Sequence, residues 1–264
     1  MQQRSAALWR SVITWAAAVA GSAAVLPYVE ALNPGRLASA AGEAGLPVYA
    51  LVAIILCQSA VLLALLTPAG YWLAGRVGLG APLLDAALTR RGPPPGWRRS
   101  LLVALLTGVL CALAIAALDR TLFTAAAGLL AASGPGAIAP WKGLLASLFG
   151  GITEEVLMRL FALSLLAWIL ARLAGQGQSG LSPAIFWSAN IATAVLFGLG
   201  HLPAIAELVE LSSALVARSL LLNAIVALPA GWFFCRRGLE SAMACHFAAD
   251  IVLHVLLPLA GAAG

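Results

Sequence analysis

Residues 149–162 read FGGITEEVLMRLFA, and long apolar runs lie on both sides of this stretch. Two adjacent carboxylates, Glu154 and Glu155, and the guanidinium of Arg159 therefore fall inside a segment with the length and composition of a membrane span. An ionisable group inside a span costs about 2.5–3.5 kcal/mol and is normally compensated by other protein groups. The stretch therefore predicts a bundle of membrane helices with a polar interior.

The composition agrees with a membrane protein. Of 264 residues, 62% are hydrophobic and only 9% are charged, whereas a soluble domain carries about 25% charged residues. A soluble core of this size could not cover so many apolar side chains. We expect an all-α, polytopic transmembrane bundle. The net charge of +5 is explained by membrane topology, so no nucleic-acid partner is expected.

A membrane span needs about 20 apolar residues, and seven segments qualify. They are 11–29, 48–74, 100–118, 143–173, 183–202, 213–235 and 239–260. The apolar patch 121–133 is short and rich in Ala and Gly, so it is interpreted as an interfacial or re-entrant piece. The span count is therefore about seven, within a range of six to eight. The first segment could instead be a cleaved signal peptide, but six further spans favour a retained anchor.

The basic residues orient these spans. With a cytoplasmic amino terminus, the inner side holds Arg4, Arg10, Arg76, Arg90, Arg91, Arg98, Arg99, Arg172, Arg236 and Arg237, and the outer side holds Arg36, Arg120, Lys142 and Arg218. This distribution satisfies the positive-inside rule. An eighth span at 121–133 would move Arg172, Arg236 and Arg237 outside, which fits the rule less well. The loop 89–100 is then cytoplasmic.

Ionisable groups inside spans are confined to three of the seven. They are Glu154, Glu155, Arg159, His201, His246, Asp250 and His254. The last four spans are therefore expected to form a polar catalytic core over residues 141–264. Residues 1–140 would supply spans that pack or regulate, together with the basic loop.

The spacing of these groups suggests water activation. Glu155 and Arg159 are i and i+4, so they share a helix face and can form an ion pair that leaves Glu154 free. A carboxylate with an imidazole opposite makes a general base. A second imidazole can donate to the oxyanion of a tetrahedral intermediate. His201 lies on one helix, and His246 and Asp250 lie at i and i+4 on another.

Plainer interpretations exist for each motif taken alone. A Glu–Arg pair can serve only to lock two helices together, and a lone histidine such as His254 is usually a core residue with its polar needs met. Phe197 would ordinarily be a packing residue. Three other carboxylates are expected to be solvated: Glu207, Glu210 and Glu240. The occurrence of three polar clusters on separate helices favours a site over these interpretations.

Three motifs resemble those of one known family. EEVLMR (154–159) fits E-E-x-x-x-R, FGLGH (197–201) fits F-x-x-x-H, and HFAAD (246–250) fits H-x-x-x-N/D. The lead-in CRRGLESAMACH (235–246) is also similar. The chain therefore resembles the CPBP family, which comprises CAAX proteases and bacteriocin-processing intramembrane proteases and is also called Abi. The resemblance covers residues 141–256.

The resemblance implies an intramembrane endopeptidase that cleaves a membrane-anchored or lipidated protein or peptide. Glu154 would activate water together with His201. Glu155 and Arg159 would order the site, and His246 and Asp250 would stabilise the oxyanion. It also implies a multi-pass protein of the cell membrane of a prokaryote, and a mechanism without a cofactor.

Two features depart from the family pattern. Asp250 stands where Asn is common, and an ionised Asp cannot donate a hydrogen bond. It is then either protonated, or it orients His246 by accepting from it. His254 is an additional imidazole, and the stripe it forms with His246 and Asp250 keeps a metal hypothesis open. The alternative cofactor is a divalent metal such as zinc at Glu154, His201 and His246.

The positions of the two motif histidines pose a geometric difficulty. His201 lies near the outer end of the fifth span, whereas His246 lies only about 10 Å from the inner end of the seventh. Straight spans would keep them apart. The stretch GLGHLP (198–203) could break the fifth span early, since irregular backbone is tolerated where it lines a cavity.

Two other functions compete with proteolysis. A catalytically idle family member could act as a bacteriocin-immunity or partner-binding membrane protein, although a scaffold has no need of costly buried ionisable groups. A proton-coupled carrier could use the same groups as a relay. The absence of an internal repeat and the absence of ionisable groups from the interiors of the first three spans argue against a carrier.

Overall fold

The computed structural model describes residues 2–133, 138–176 and 180–262, and the regular elements within these ranges are all helices. The α-helices are Gln2–Ala24, Leu26–Leu32, Arg36–Glu43, Val48–Arg76, Pro82–Leu88, Trp97–Thr121, Thr124–Ser133, Pro140–Leu148, Ser164–Leu173, Pro183–Gly200, Leu202–Ala206, Ser213–Arg237, Leu239–Ile251 and Leu257–Ala262. The π-helices are Phe149–Glu154, Val156–Leu163 and Val252–Leu256. The predicted all-α fold is confirmed.

Seven helical segments in the described ranges are long and apolar enough to cross a membrane. Numbered as spans 1 to 7, they are Ser5–Leu32, Val48–Arg76, Trp97–Thr121, Pro140–Leu173, Pro183–Ala206, Ser213–Arg237 and Leu239–Gly261. Each coincides with a predicted segment, so the protein is an integral, multi-pass membrane protein. The patch 121–133 contributes the helix Thr124–Ser133, whose 10 residues are too few to span.

Three ion pairs outside the centre of the bundle connect segments that are distant in sequence. Arg10 pairs with Asp85, and Arg36 pairs with Glu207. Arg218 meets both carboxylate oxygens of Asp119, at 2.7 and 2.6 Å. Each pair joins two groups that the seven-span order places on the same side of the membrane. The contacts therefore agree with spans that alternate in direction along the chain.

Spans 4 and 7 approach each other closely because glycines of span 4 face span 7. A Cβ at Gly143 would overlap the backbone carbonyl of His254, and a Cβ at Gly150 would overlap the carboxylate of Asp250. Small residues allow membrane helices to pack at short distance without a side chain between them. As a result, the polar stripe of span 7 lies directly against the part of span 4 that carries the two glutamates.

The glutamates themselves lie in wide helical turns. The π-helices Phe149–Glu154 and Val156–Leu163 follow one another, with Glu155 at their junction. Such turns hydrogen-bond from residue i to residue i+5 and are frequent at functional sites. The Ser164 hydroxyl also reaches back five residues, donating to the Arg159 carbonyl at 3.3 Å. Span 4 is therefore underwound where its ionisable residues project.

Span 1 packs beside this segment rather than apart from it. The Thr153 hydroxyl donates to the Ala18 carbonyl at 2.7 Å. The main buried cluster includes Ala18 and Leu63 from the front spans and Val156, Leu160 and Phe234 from the back spans. The bundle therefore shares one core across residue 140, and the division into regions 1–140 and 141–264 stays a prediction about function.

One carboxylate differs from its expected environment. Glu240 was expected to be solvated, but its Oε1 accepts a hydrogen bond from the backbone N–H of Leu84 at 2.8 Å. The residue is half-buried. It caps the first turn of the helix Pro82–Leu88 and thereby attaches the connection between spans 2 and 3 to the start of span 7. Sequence alone gave no sign of this, because the two residues are 156 positions apart.

The arginine distribution and the seven spans predict the side on which each connection lies. In a variant with the four cysteines replaced by serine, a single Glu210→Cys should react with a membrane-impermeant maleimide in intact cells. Gly92→Cys should react only after lysis, because its arginine-rich loop is expected to be cytoplasmic. Labelling of Gly92→Cys with protection of Glu210→Cys in intact cells would show the reversed orientation, whereas protection of both cysteines would indicate an eighth span.

Candidate active site

Glu155 is the most enclosed ionisable group of the site. It is 0% exposed, and Arg159 is 2% exposed. Arg159 Nη1 lies 3.2 Å from Glu155 Oε1, so the ion pair predicted from the i, i+4 spacing is confirmed. Arg159 Nη2 also donates to the Ala227 carbonyl at 3.2 Å. The buried pair therefore joins span 4 to span 6.

His246 of span 7 binds the same glutamate. Its Nδ1 lies 2.8 Å from Glu155 Oε1. A carboxylate that is ion-paired with arginine can only accept, so Nδ1 carries the proton and donates. The other ring nitrogen, Nε2, lies 3.7 Å from Glu154 Oε2 and 3.7 Å from Asp250 Oδ1. Nε2 is therefore an acceptor in the neutral ring and a donor in the imidazolium.

Glu154 occupies a different environment from its neighbour. Its side chain is 20% exposed, compared with 0% for that of Glu155. Its contact with His246 is also longer than the hydrogen bond made by Glu155. Both partners of Glu155 bind its Oε1, whereas its Oε2 is buried without a hydrogen-bond partner among the described residues. Two adjacent carboxylates are thus separated into one that is enclosed and ion-paired and one that remains accessible. This difference is what general-base chemistry at Glu154 requires.

Phe197 lies between the two motif histidines. Its ring centroid is 4.7 Å from that of His201 and 5.5 Å from that of His246, with both pairs edge-to-face. The guanidinium of Arg159 lies 5.4 Å from the same ring. Phe197 was interpreted as a packing residue, and it does pack, but against the site's own polar groups. It positions the imidazoles and contributes a cation–π contact.

His201 lies where span 5 changes helix. The helix Pro183–Gly200 ends just before it and the short helix Leu202–Ala206 begins just after it. A one-residue break therefore falls within GLGHLP as suggested, although the span itself continues to Ala206. His201 Nδ1 donates to the Phe197 carbonyl at 2.8 Å, which leaves Nε2 as the acceptor of a neutral ring. Both motif histidines contact the Phe197 ring, so the separation that straight spans would impose is not observed.

Asp250 lies between two imidazoles. Its Oδ1 is 3.7 Å from His246 Nε2 and 3.9 Å from His254 Nε2. His254 Nδ1 is in turn 3.1 Å from the hydroxyl of Tyr28 in span 1. His254 therefore has a polar partner in the bundle, in agreement with its plainer interpretation, and it also lies beside a predicted site residue. Tyr28 was missed entirely, since a lone tyrosine 226 residues away carries no pattern that links it to the site.

The candidate metal ligands do not form a metal site. Within residues 2–133, 138–176 and 180–262, no three His, Cys, Asp or Glu side chains are grouped so as to hold a metal ion. Each motif histidine donates from Nδ1 to a protein oxygen, so only its Nε2 could bind a metal ion. Because the described residues do not bring three such groups together at Glu154, His201 and His246, no step proposed below uses a metal.

The chain is similar to a known protein family over part of its length. A protein-family model described as Rce1-like, type II CAAX prenyl endopeptidase Rce1-like, matches residues 136–252. The predicted resemblance to the CPBP and CAAX-protease family is thereby confirmed over this range. No curated protein and no solved structure matches the chain significantly. The matched range contains all six predicted site residues, but neither Tyr28 nor His254.

The buried ion pair predicts a large stability effect. Arg159→Met should lower the free energy of unfolding by about 3–5 kcal/mol, because it leaves the Glu155 charge buried without its partner. Arg218→Met is the matched control, since its pair with Asp119 is partly exposed and should cost far less. Thermal unfolding in detergent would measure both variants. Equal losses would show that burial of the Glu155 pair is not the controlling factor.

Proposed function

Because residues 136–252 match the family model of Rce1-like type II CAAX prenyl endopeptidases, we propose that this membrane protein is an intramembrane endopeptidase. It hydrolyses a peptide bond of a membrane-associated or lipidated protein or peptide. The proposal rests on the different environments of the two adjacent glutamates. Arg159 and His246 both engage Glu155, and this leaves the more exposed Glu154 to act on water.

In the proposed first step, Glu154 accepts a proton from a water molecule. The water oxygen then bonds to the carbonyl carbon of the scissile peptide, and the carbonyl electron pair moves to oxygen. His201 contributes by orientation: with its Nδ1 proton committed to the Phe197 carbonyl, its Nε2 can accept the second O–H of the same water. Two acceptors of different kinds would then hold one nucleophile.

The oxyanion needs a donor, and His246 is the group best arranged to supply one. As the imidazolium it donates from Nε2 while Nδ1 remains bound to Glu155. Asp250 faces that Nε2 at 3.7 Å. This position supports the role in which Asp250 orients His246, rather than the role in which Asp250 itself donates to the oxyanion. Collapse of the intermediate breaks the C–N bond, and the leaving amine takes the proton held by Glu154. The site then returns to its starting state.

The membrane setting limits the substrate. The ionisable groups lie within spans 4, 5 and 7, so the scissile bond must reach into the bundle. A lipidated or membrane-anchored chain is already concentrated at the bilayer, which favours such a substrate over a freely soluble one. The proposed location is the cell membrane of a prokaryote, with the amino terminus in the cytoplasm.

Replacing the proposed base provides the direct test of this function. Wild-type protein in detergent, incubated with membrane-anchored and lipidated peptides, should generate new termini detectable by mass spectrometry. Glu154→Gln should reduce the rate by about 10²–10⁴-fold, the usual contribution of a general base. Glu210→Gln, a glutamate outside the site, is the matched control and should cleave normally.

The same experiment separates the competing functions. A proton carrier would also lose its function in Glu154→Gln, but it would produce no cleaved peptide. A catalytically idle, partner-binding protein would leave every peptide intact in the wild type and the control alike. Absence of cleavage from correctly folded wild-type protein across the peptide set would therefore count against the protease.

Dependence on a metal is tested in a parallel tube. Cleavage should continue undiminished in excess EDTA or 1,10-phenanthroline, because the proposed nucleophile is activated by Glu154 and His201 alone. Loss of activity with chelator, followed by recovery on addition of zinc, would contradict this mechanism. It would restore the alternative of a divalent metal at Glu154, His201 and His246.

A further inference from the structure

His254 is the one imidazole of the chain that the proposed reaction leaves unused. It lies in the π-helical turn Val252–Leu256 of span 7. Its Nδ1 is 3.1 Å from the Tyr28 hydroxyl, and the two rings meet edge-to-face with centroids 5.3 Å apart. Its Nε2 lies 3.9 Å from Asp250 Oδ1. A tyrosine of span 1 is thereby connected to the active site through one histidine.

With Asp250 ionised, the donors and acceptors in this chain of contacts have one consistent assignment. An ionised Asp250 only accepts, so the facing nitrogen of His254, Nε2, should carry the ring proton. Nδ1 is then an acceptor, and the Tyr28 O–H donates to it. Asp250 thus sets the tautomer of His254, and Tyr28 stabilises that tautomer by its hydrogen bond to the second ring nitrogen.

The two imidazoles beside Asp250 can donate a hydrogen bond to it under different conditions. His246 Nε2 can donate to Asp250 only while the ring is protonated, because Nδ1 is always committed to Glu155. His254 Nε2–H faces Asp250 in the neutral ring as well. The separations of 3.7 and 3.9 Å exceed a direct hydrogen bond, but contacts in a substrate-free site commonly tighten when substrate binds.

We propose that Tyr28 and His254 are positioning residues for the active site: Tyr28 holds His254 with its proton on Nε2, and His254 holds Asp250 in place when His246 donates to substrate. This inference rests on the proposed proteolytic function. It also accounts for an aspartate where the family commonly has asparagine. An asparagine carries its own N–H donors, whereas an aspartate depends on a neighbouring donor to stay oriented.

The packing around these residues agrees with a fixed arrangement. Asp250 Oδ2 lies over Gly150, where a Cβ would leave it no room, and the backbone of His254 lies over Gly143. Span 7 is thus held against span 4 at both residues. Tyr28 itself belongs to the helix Leu26–Leu32, the last turns of span 1. Span 1 therefore completes the site, beyond the family-matched range 136–252.

Two single substitutions test the positioning role through catalytic activity. Tyr28→Phe removes only the hydroxyl, and His254→Phe keeps a ring but removes both nitrogens. Each should lower kcat by about tenfold, the usual effect of losing an outer hydrogen-bond partner, with KM changed by less than about twofold. Tyr49→Phe, at an exposed tyrosine of span 2, is the matched control and should leave kcat unchanged.

Repeating His254→Phe in an Asp250→Asn variant tests whether His254 acts through Asp250. In this variant, which should retain measurable activity, adding His254→Phe should change kcat by less than about twofold, because asparagine no longer needs the imidazole donor. An equal, tenfold loss in both backgrounds would mean that His254 acts independently of Asp250 and would overturn the proposal. Unchanged kcat in both Tyr28→Phe and His254→Phe would overturn it as well.

A spectroscopic measurement tests the same proposal without any substrate. The chain has only 3 histidines, so ¹⁵N-histidine labelling of the full-length protein in detergent gives few imidazole signals, and His254→Phe identifies the one of interest. His254 should be the Nε2–H tautomer in wild type and in Tyr49→Phe, and should lose that preference in Tyr28→Phe. A wild-type Nδ1–H tautomer would overturn the proposal. If no peptide is cleaved by any variant, the proteolytic function fails, and this measurement alone decides the link between Tyr28 and His254.

Discussion

The site depends on one buried carboxylate with two partners. Glu155 is fully enclosed and binds both Arg159 and His246. Removing a charge from water costs several kcal/mol, which is recovered only when the pairing is close and the hydrogen bonds are satisfied. That requirement fixes span 4 against span 7, and through the Ala227 carbonyl it also fixes span 6. It further sets which nitrogen of His246 is protonated. Because Arg159 and His246 bind Glu155, its neighbour Glu154 is the more exposed carboxylate of the two.

The packing of the surrounding helices brings the other polar residues next to this ion pair. Glycines of span 4 bring span 7 close enough for Glu154 and Glu155 to meet His246, and the break in span 5 presents His201 at the end of a helix. Phe197 then separates the two imidazoles and at the same time shields Arg159. Polar groups from separate helices are thus held by apolar packing, which is the arrangement that a membrane protein can sustain without exposing charge to lipid.

Much of this arrangement was accessible from the sequence because it is local. Apolar length identified all seven spans, and the i, i+4 spacing identified the Glu155–Arg159 pair, since both depend on residues close together in the chain. The Tyr28–His254 contact and the Glu240–Leu84 hydrogen bond could not be found, because their partners are 226 and 156 residues apart. The different environments of Glu154 and Glu155 were anticipated from the arginine alone. The second partner, His246 Nδ1, required three-dimensional packing, as did the role of Phe197.

The π-helical turns of span 4 have a consequence for how the chain can change. Phe149–Glu154 and Val156–Leu163 hold more residues per turn than an α-helix. Deleting a single residue from one of these wide turns would let that turn rewind as an α-helix and absorb the loss, so the helix beyond it would keep roughly its orientation. Deleting a residue from the α-helical part of the span, Ser164–Leu173, would instead rotate everything beyond the deletion by about 100°. Single-residue deletions that spare the ionisable residues should thus be better tolerated in the π-helical stretch, although nothing in its hydrophobicity distinguishes it from an ordinary membrane helix.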